Sequence, residues 1–267
     1  MQTLQRDGIA LAYEEMGRGE PPIVLVHGWT CDHTYFAPQA EHFRRDHRVI
    51  SVDVRGHGES DKPQLDYTMA QFADDIAWLC EQLRVRKPVV IGRSMGGVIA
   101  FELAARHPDL PAAVVGVDSP IIPSQEVRNA LAPVIEGVKT PNYRQVSQDF
   151  VANALFIPSD DPALKARVVE GMSSAPQHVM SSAIEQIFAC DTEAATAAVK
   201  VPALLLNADG PGWPLAGVAR VQELCPQVMV GQTIGAGHFH QLVVPDQVNA
   251  MIDRFLAVAV PAPALAA

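Results

Sequence analysis

Short, largely apolar runs recur along the first half of the chain, each bounded by turn residues. Residues 23–26, 48–52, 88–91 and 113–117 are brief and β-branched. Their apolar positions are consecutive rather than alternating, the pattern of strands buried on both faces of a parallel sheet. Phe72, Ile76, Leu79 and Leu83 fall on one helical face and predict a helix over 69–83, with Phe72 and Trp78 as core. A second helix is predicted over 95–107, where Pro108 prevents continuation. Strands alternating with helices predict an α/β fold, a doubly wound and mostly parallel sheet.

The rhythm breaks after Pro120. Over 121–199 there is no convincing strand, only helical patches punctuated by Pro123, Pro133, Pro141, Pro158, Pro162 and Pro176. Alternation then resumes with a strand at 203–206, a helix at 215–224, a strand at 228–234 and a closing helix at 246–257. The expected organisation is a core of 1–120 and 200–259, interrupted by a helical cap or lid of 121–199. Residues 260–267, rich in Pro and Ala, are expected to fray as a disordered tail.

Composition narrows the function. The chain has 267 residues, 48% hydrophobic and 19% charged, a globular composition large enough for a sizeable core. A formal charge of −10 leaves no basic face for nucleic acid. No apolar run approaches the roughly 18 residues needed to span a membrane. The first 16 residues have neither an apolar signal core nor a transit-peptide bias. Cys31, Cys80, Cys190 and Cys225 are scattered, without C-x-x-C spacing, as expected of reduced thiols in a cytoplasmic protein.

Candidate chemistry lies at the strand ends. Val89-Val90-Ile91-Gly92-Arg93-Ser94-Met95-Gly96-Gly97 runs a buried strand into G-x-S-x-G and straight into a helix. This is the context of a nucleophile elbow, a turn so sharp that only small residues fit beside the serine. It lifts the Ser94 hydroxyl above the sheet at the positive end of a helix. Strand 23–26 ends in His27-Gly28-Trp29, where a glycine turn can expose the Trp29 N–H. With the Met95 N–H it would form an oxyanion hole, two fixed donors aimed at developing negative charge. Asp53, Arg55 and His57, in the glycine-punctuated loop 53–60, read with His27 as loop-bracing residues. Gly235-Ala236-Gly237-His238-Phe239-His240 stands between the last strand and the last helix. Its two histidines lack a third ligand at metal spacing, which argues against zinc.

In this order and these contexts the segments resemble the α/β-hydrolase superfamily over nearly the whole chain, with 121–199 as the divergent part. The resemblance implies Ser94 as nucleophile and His238, directly after Gly237, as base, with His240 a contact in the site wall or lid. In most of the family the acid follows the strand at 203–206, where this chain has Asn207-Ala208-Asp209-Gly210-Pro211-Gly212 and Asp209 arrives early. In certain haloalkane dehalogenases and cofactor-independent dioxygenases it ends the preceding core strand, where Asp118 stands. Asp118 is favoured over Asp209, because the chemistry asks only for a carboxylate on the far nitrogen of the imidazole. Arg93 departs from the His, Asn or Phe often found before the serine, and a salt bridge to a nearby carboxylate such as Asp118 is expected of it.

The activity implied is serine-dependent hydrolysis of an ester-like bond in a small, largely apolar substrate, without cofactor or metal. Phe36, Phe150, Phe156, Phe188 and Ile157 are candidates for the apolar pocket, or equally for cap core. A cofactor-independent dioxygenase of an N-heteroaromatic ring is the rival, since residues 27–33 look like its corresponding loop. Those enzymes carry a histidine where this chain has Cys31, which counts against it. A perhydrolase or acyltransferase would need the same triad, and a haloalkane dehalogenase would need an aspartate in place of Ser94. Partners other than the substrate are not implied, apart from a homodimer through a cap helix.

Overall fold

The computed structural model describes residues 1–210 and 217–260. Most of the expected tail, from 261 on, lies outside them, as do the first residues of the helix expected over 215–224. An eight-stranded sheet has the order β1-β2-β4-β3-β5-β6-β7-β8. Its strands are β1 (Gln2–Arg6), β2 (Ile9–Met16), β3 (Ile23–Val26), β4 (Val49–Asp53), β5 (Val89–Arg93), β6 (Ala113–Val117), β7 (Ala203–Asn207) and β8 (Val228–Gln232). β1 and β2 pair antiparallel, and β2 joins β4 antiparallel; every pairing from β4 through β8 is parallel.

Consecutive apolar residues in the central strands serve two cores. Val24, Val26 and Val90 face a core shared with α2 (Met69–Gln82) and α3 (Met95–Arg106). Ile23, Leu25, Val89 and Ile91 face the opposite core, shared with α1 (Ala37–Phe43) and α11 (Pro245–Ala259). Period-two geometry thereby fixes the side of each residue.

The N-terminal hairpin is not anticipated by the apolar runs. Arg6 pairs with Ile9 across a two-residue turn whose Asp7 and Gly8 both have positive φ, 52° and 80°. Asp-Gly is the usual sequence for such a turn, because both positions must adopt it and Gly does so without a Cβ penalty.

Between β6 and β7 lie α4 (Gln125–Gly137), α5 (Tyr143–Ala154), α6 (Pro162–Ser173), α7 (Gln177–Ala189) and α8 (Thr192–Ala198). α8 packs against α3 and against α9 (Val218–Leu224), beside the sheet rather than with α4–α7. Pro133 does not interrupt its helix as expected: it lies inside α4. Pro162 opens α6, where a missing N–H costs nothing. β8 stops at Gln232, short of the expected 234, and Ile234 is 72% exposed. Among the described residues no helix is long and apolar enough to cross a membrane, and all four cysteines are free thiols.

Candidate active site

β5 passes through Ser94 directly into α3, and Ser94 carries the turn with φ 52° and ψ −118°. A non-glycine residue held there stores about 1–3 kcal/mol, supplied by the packing around it. That packing demands glycines: a Cβ on Gly92 would run into the Gly96 carbonyl, and one on Gly96 into the carbonyl of Val26. α3 therefore lies close enough to β3 to set the elbow beside the turn that follows β3.

In that turn Cys31 N–H donates to Gly28 O at 3.2 Å, and Thr30 takes a positive φ of 53°. Among the described residues no acceptor pairs with the N–H of Trp29 or of Met95. The Trp29 indole reaches upward, donating Nε1–H to Met180 O on α7 at 2.9 Å and meeting Phe150 of α5 edge-on. The turn is braced from below by His27, whose Nδ1 bonds Gly28 O at 2.8 Å and whose Nε2 accepts from Val54 N–H at 3.1 Å. Asp53 accepts from the N–H groups of His33 and Glu59, and Arg55 makes two 2.7 Å bonds to Asp75. Burial alone would raise the Asp53 carboxyl, but His33 and these donors hold it down to about 2. The loop-bracing reading of these residues matches their contacts.

β6 ends at Val117, and Asp118 turns out of the strand with φ 45°. Its N–H still bonds Leu206 O on β7 at 2.8 Å, while Oδ1 accepts from Ala208 N–H at 2.9 Å. Oδ2 lies 2.5 Å from His238 Nδ1, and both side chains are almost fully buried. Asp209 is exposed on the surface. Between the two candidates, the carboxylate on the imidazole is that of Asp118. The backbone of His238 is tied to the helical insert, its N–H donating to Leu155 O at 3.0 Å.

Burial would raise the Asp118 carboxyl, but the bond to His238 and the Ala208 N–H keep it below its ordinary range. His238 is lowered to about 4, by burial first and the nearby Arg93 charge second, against the opposing pull of Asp118. At neutral pH the pair is a carboxylate and a neutral imidazole, with the Nδ1 proton directed at Asp118.

Ser94 and His238 open onto one cavity of about 400 Å³, its mouth included. Its walls are Leu131 from α4, Phe150 from α5, Met172 from α6 and Ile184, Ile187 and Phe188 from α7. Of the residues expected in the pocket or equally in the cap core, Phe150 and Phe188 line the cavity, and Phe36, Phe156 and Ile157 do not. Phe36 is core under the sheet, and Phe156 stacks on Phe239 at 5.0 Å.

Two expectations are corrected. His240 is no wall contact: it is fully buried at the start of α10 (His240–Val243), with Nδ1 2.7 Å from Thr233 Oγ1. Arg93 forms no ion pair with Asp118 or any other carboxylate among the described residues. Its Nη2 donates to His238 O at 3.3 Å, Nη1 lies 3.6 Å from Cys31 Sγ, and its guanidinium sits 3.8 Å over the Phe239 ring. Sequence reasoning missed Ala208, Leu155 and Met180, because each contributes a backbone group, and no side-chain pattern marks a backbone group.

A family model described as the alpha/beta hydrolase fold matches residues 21–245. The chain belongs to this family. It is 26% identical to the 2-(acetamidomethylene)succinate hydrolase of Mesorhizobium japonicum, over 93% of this chain and 92% of that one. An AB hydrolase superfamily protein of Bacillus subtilis is 38% identical over 100 residues, which span 37% of either chain. Among solved structures, a thermophilic esterase from Thermogutta terrifontis superposes with a TM-score of 0.86 at 28% identity, covering 98% of this chain and all of that one.

Proposed function

We propose that this protein is a serine hydrolase that cleaves an ester-like bond of a small, largely apolar substrate through an acyl-enzyme. The observation that carries the reading is that His238, held at Nδ1 by Asp118, lines one apolar cavity together with the elbow serine. Ser94 Oγ attacks the carbonyl carbon, and with Nδ1 held by Asp118 its proton passes to Nε2 of His238. The carbonyl electrons move to oxygen, where the N–H groups of Trp29 and Met95 stabilise the charge. Collapse expels the alcohol, which takes the proton from His238 and leaves the acyl group on Ser94. Water then repeats the sequence, releasing the acid and restoring the serine.

Helices α4–α7 act as the cap, and their apolar side chains set the substrate class. Apart from the site's own Ser94, Arg93 and His238, the lining among the described residues is apolar, which suits an uncharged acyl or alcohol group. The relatives' hydrolase names and the likeness to an esterase support the same reaction class. In the dioxygenase's histidine position Cys31 is buried, and burial pushes its thiol up to about 12, so no base stands there.

An anaerobic panel of p-nitrophenyl esters of increasing acyl length tests the proposal. Turnover without oxygen, best for short neutral acyl groups and lost in Ser94→Ala, is expected. Turnover that survives in folded Ser94→Ala would refute the acyl-enzyme, and a requirement for oxygen would favour the dioxygenase.

A further inference from the structure

Among the described residues Arg93 is the largest fully buried side chain, 1% exposed, yet no carboxylate among them pairs with it. Burying a charge without such a partner carries a desolvation penalty that its remaining contacts must offset. Its contacts all belong to the site. The backbone of Arg93 immediately precedes the nucleophile. One nitrogen holds the carbonyl of His238, another meets Cys31 in the oxyanion turn, and Phe239 covers its face. A Cβ on Gly28 would come within 2.8 Å of Nη1, so the oxyanion turn packs directly on the guanidinium. The Nε atom, also buried, has no hydrogen-bond partner among the described residues.

We infer that Arg93 is a positioning residue, which locks the histidine loop to the oxyanion turn across the nucleophile elbow and biases the site toward holding an oxyanion. The inference rests on the hydrolase reading. Its electrostatic half follows from counting charges. At rest Arg93 and Asp118 sum to zero around a neutral His238. Protonating His238 alone would leave the buried site with one excess positive charge. Protonating it while an oxyanion forms on the substrate returns the sum to zero. Arg93 therefore penalises the protonated resting enzyme without penalising the tetrahedral intermediate.

The groups facing His238 support this account. Asp118 from the end of β6 favours its protonation, and Arg93 from β5 opposes it. His240 from α10 is itself buried and held low, to about 4. Asp160, in the loop before α6, is bonded to the Gly237 N–H at 3.3 Å. Also near Arg93 stand Cys31 and Tyr35, both kept neutral by burial.

Arg93→Met and Arg93→Lys separate the two halves, read by NMR titration of the histidine rings and by ester kinetics. The His238 signal is assigned from its loss in His238→Gln. Methionine fills the space without a charge, so the fold should survive with an unchanged or higher melting temperature. In Arg93→Met the His238 imidazole should titrate about one pH unit or more higher. Its kcat should fall by about 10²-fold with little change in KM, because the base is no longer held in place. Arg93→Lys restores the charge but not the planar bridge, so it should recover the wild-type titration while kcat stays reduced.

An unchanged His238 titration in Arg93→Met, or full kcat in either variant of an active enzyme, overturns the inference. So does a fall in melting temperature with the titration unmoved, which would mark a purely structural arginine. The titration needs no substrate. A wild-type chain inert toward esters, yet showing the shift, would therefore refute the hydrolase reading and leave the coupling of Arg93 to His238 standing.

Discussion

Each candidate catalytic side chain is held by a contact that gives it one chemical state. Ser94 is held by backbone geometry, His238 by Asp118, and Asp118 by the Ala208 N–H. Groups that act as one unit fail as one unit, so Ser94→Ala and His238→Ala should each abolish ester turnover, and the double variant should be little worse. Steady-state kinetics of the three proteins checks this; additive losses would show independent roles. Asp118→Asn should lower kcat by up to about 10⁴-fold, because the amide favours the wrong imidazole tautomer, whereas Asp209→Asn should cost little. A reversed ranking of those two would move the acid. Ser94 and His238 were legible in the sequence because each sits in a local glycine motif beside its strand. Asp118 was legible only as the better of two strand ends. The contacts of Arg93 were not legible, since they are a carbonyl, a thiol and a ring, two of them about 145 residues away.

At the scale of elements, the turn at Ser94 depends on how closely α3 approaches β3 and β5. Gly96→Ala would press a methyl group into the Val26 carbonyl, a backbone atom in a fully buried strand that cannot swing aside. The variant should lose about 1–3 kcal/mol in urea unfolding and most of its activity, because relief must come from shifting the elbow. Wild-type stability and turnover would mean that the elbow is looser than its geometry implies. The parallel strands and their helices could be read from apolar runs because burial on both faces leaves a continuous signal. The N-terminal hairpin could not, since β1 and β2 are partly exposed, β1 has Leu4 as its one apolar residue, and β2 runs from apolar residues into Glu14 and Glu15. Asp7-Gly8 was the available cue. The insert read correctly as helical, but its packing did not follow from the sequence. Pro133 inside α4 and α8 beside α3 both reflect tertiary contacts that override local punctuation.

Over the whole molecule, several histidines are buried in the neutral form. Burial lowers His57 to about 3 and His240 to about 4, and burial together with the Arg93 charge lowers His238 to about 4. An unfolded histidine takes up its proton near pH 6.5, so between that pH and the folded values the unfolded state binds more protons. Stability should therefore be full above about pH 6.5 and fall progressively toward pH 3. Asp53, held at about 2, adds to the loss below about pH 4, where its unfolded counterpart protonates. Urea midpoints at pH 7, 5 and 4 measure this; a midpoint that is flat or rises on acidification would contradict it. The same lowering of His238 keeps the base neutral, so the acid limb of kcat/KM should lie near 4, well below that of an ordinary histidine.

The central claim, a covalent acyl-enzyme on Ser94 activated by His238, is tested most directly by mass spectrometry after treatment with a p-nitrophenyl phosphonate. One adduct per chain is predicted, mapped by peptide sequencing to Ser94 and formed far more slowly in folded His238→Ala. A protein that hydrolyses esters yet takes no adduct at Ser94, or takes it at the same rate without His238, would contradict the account.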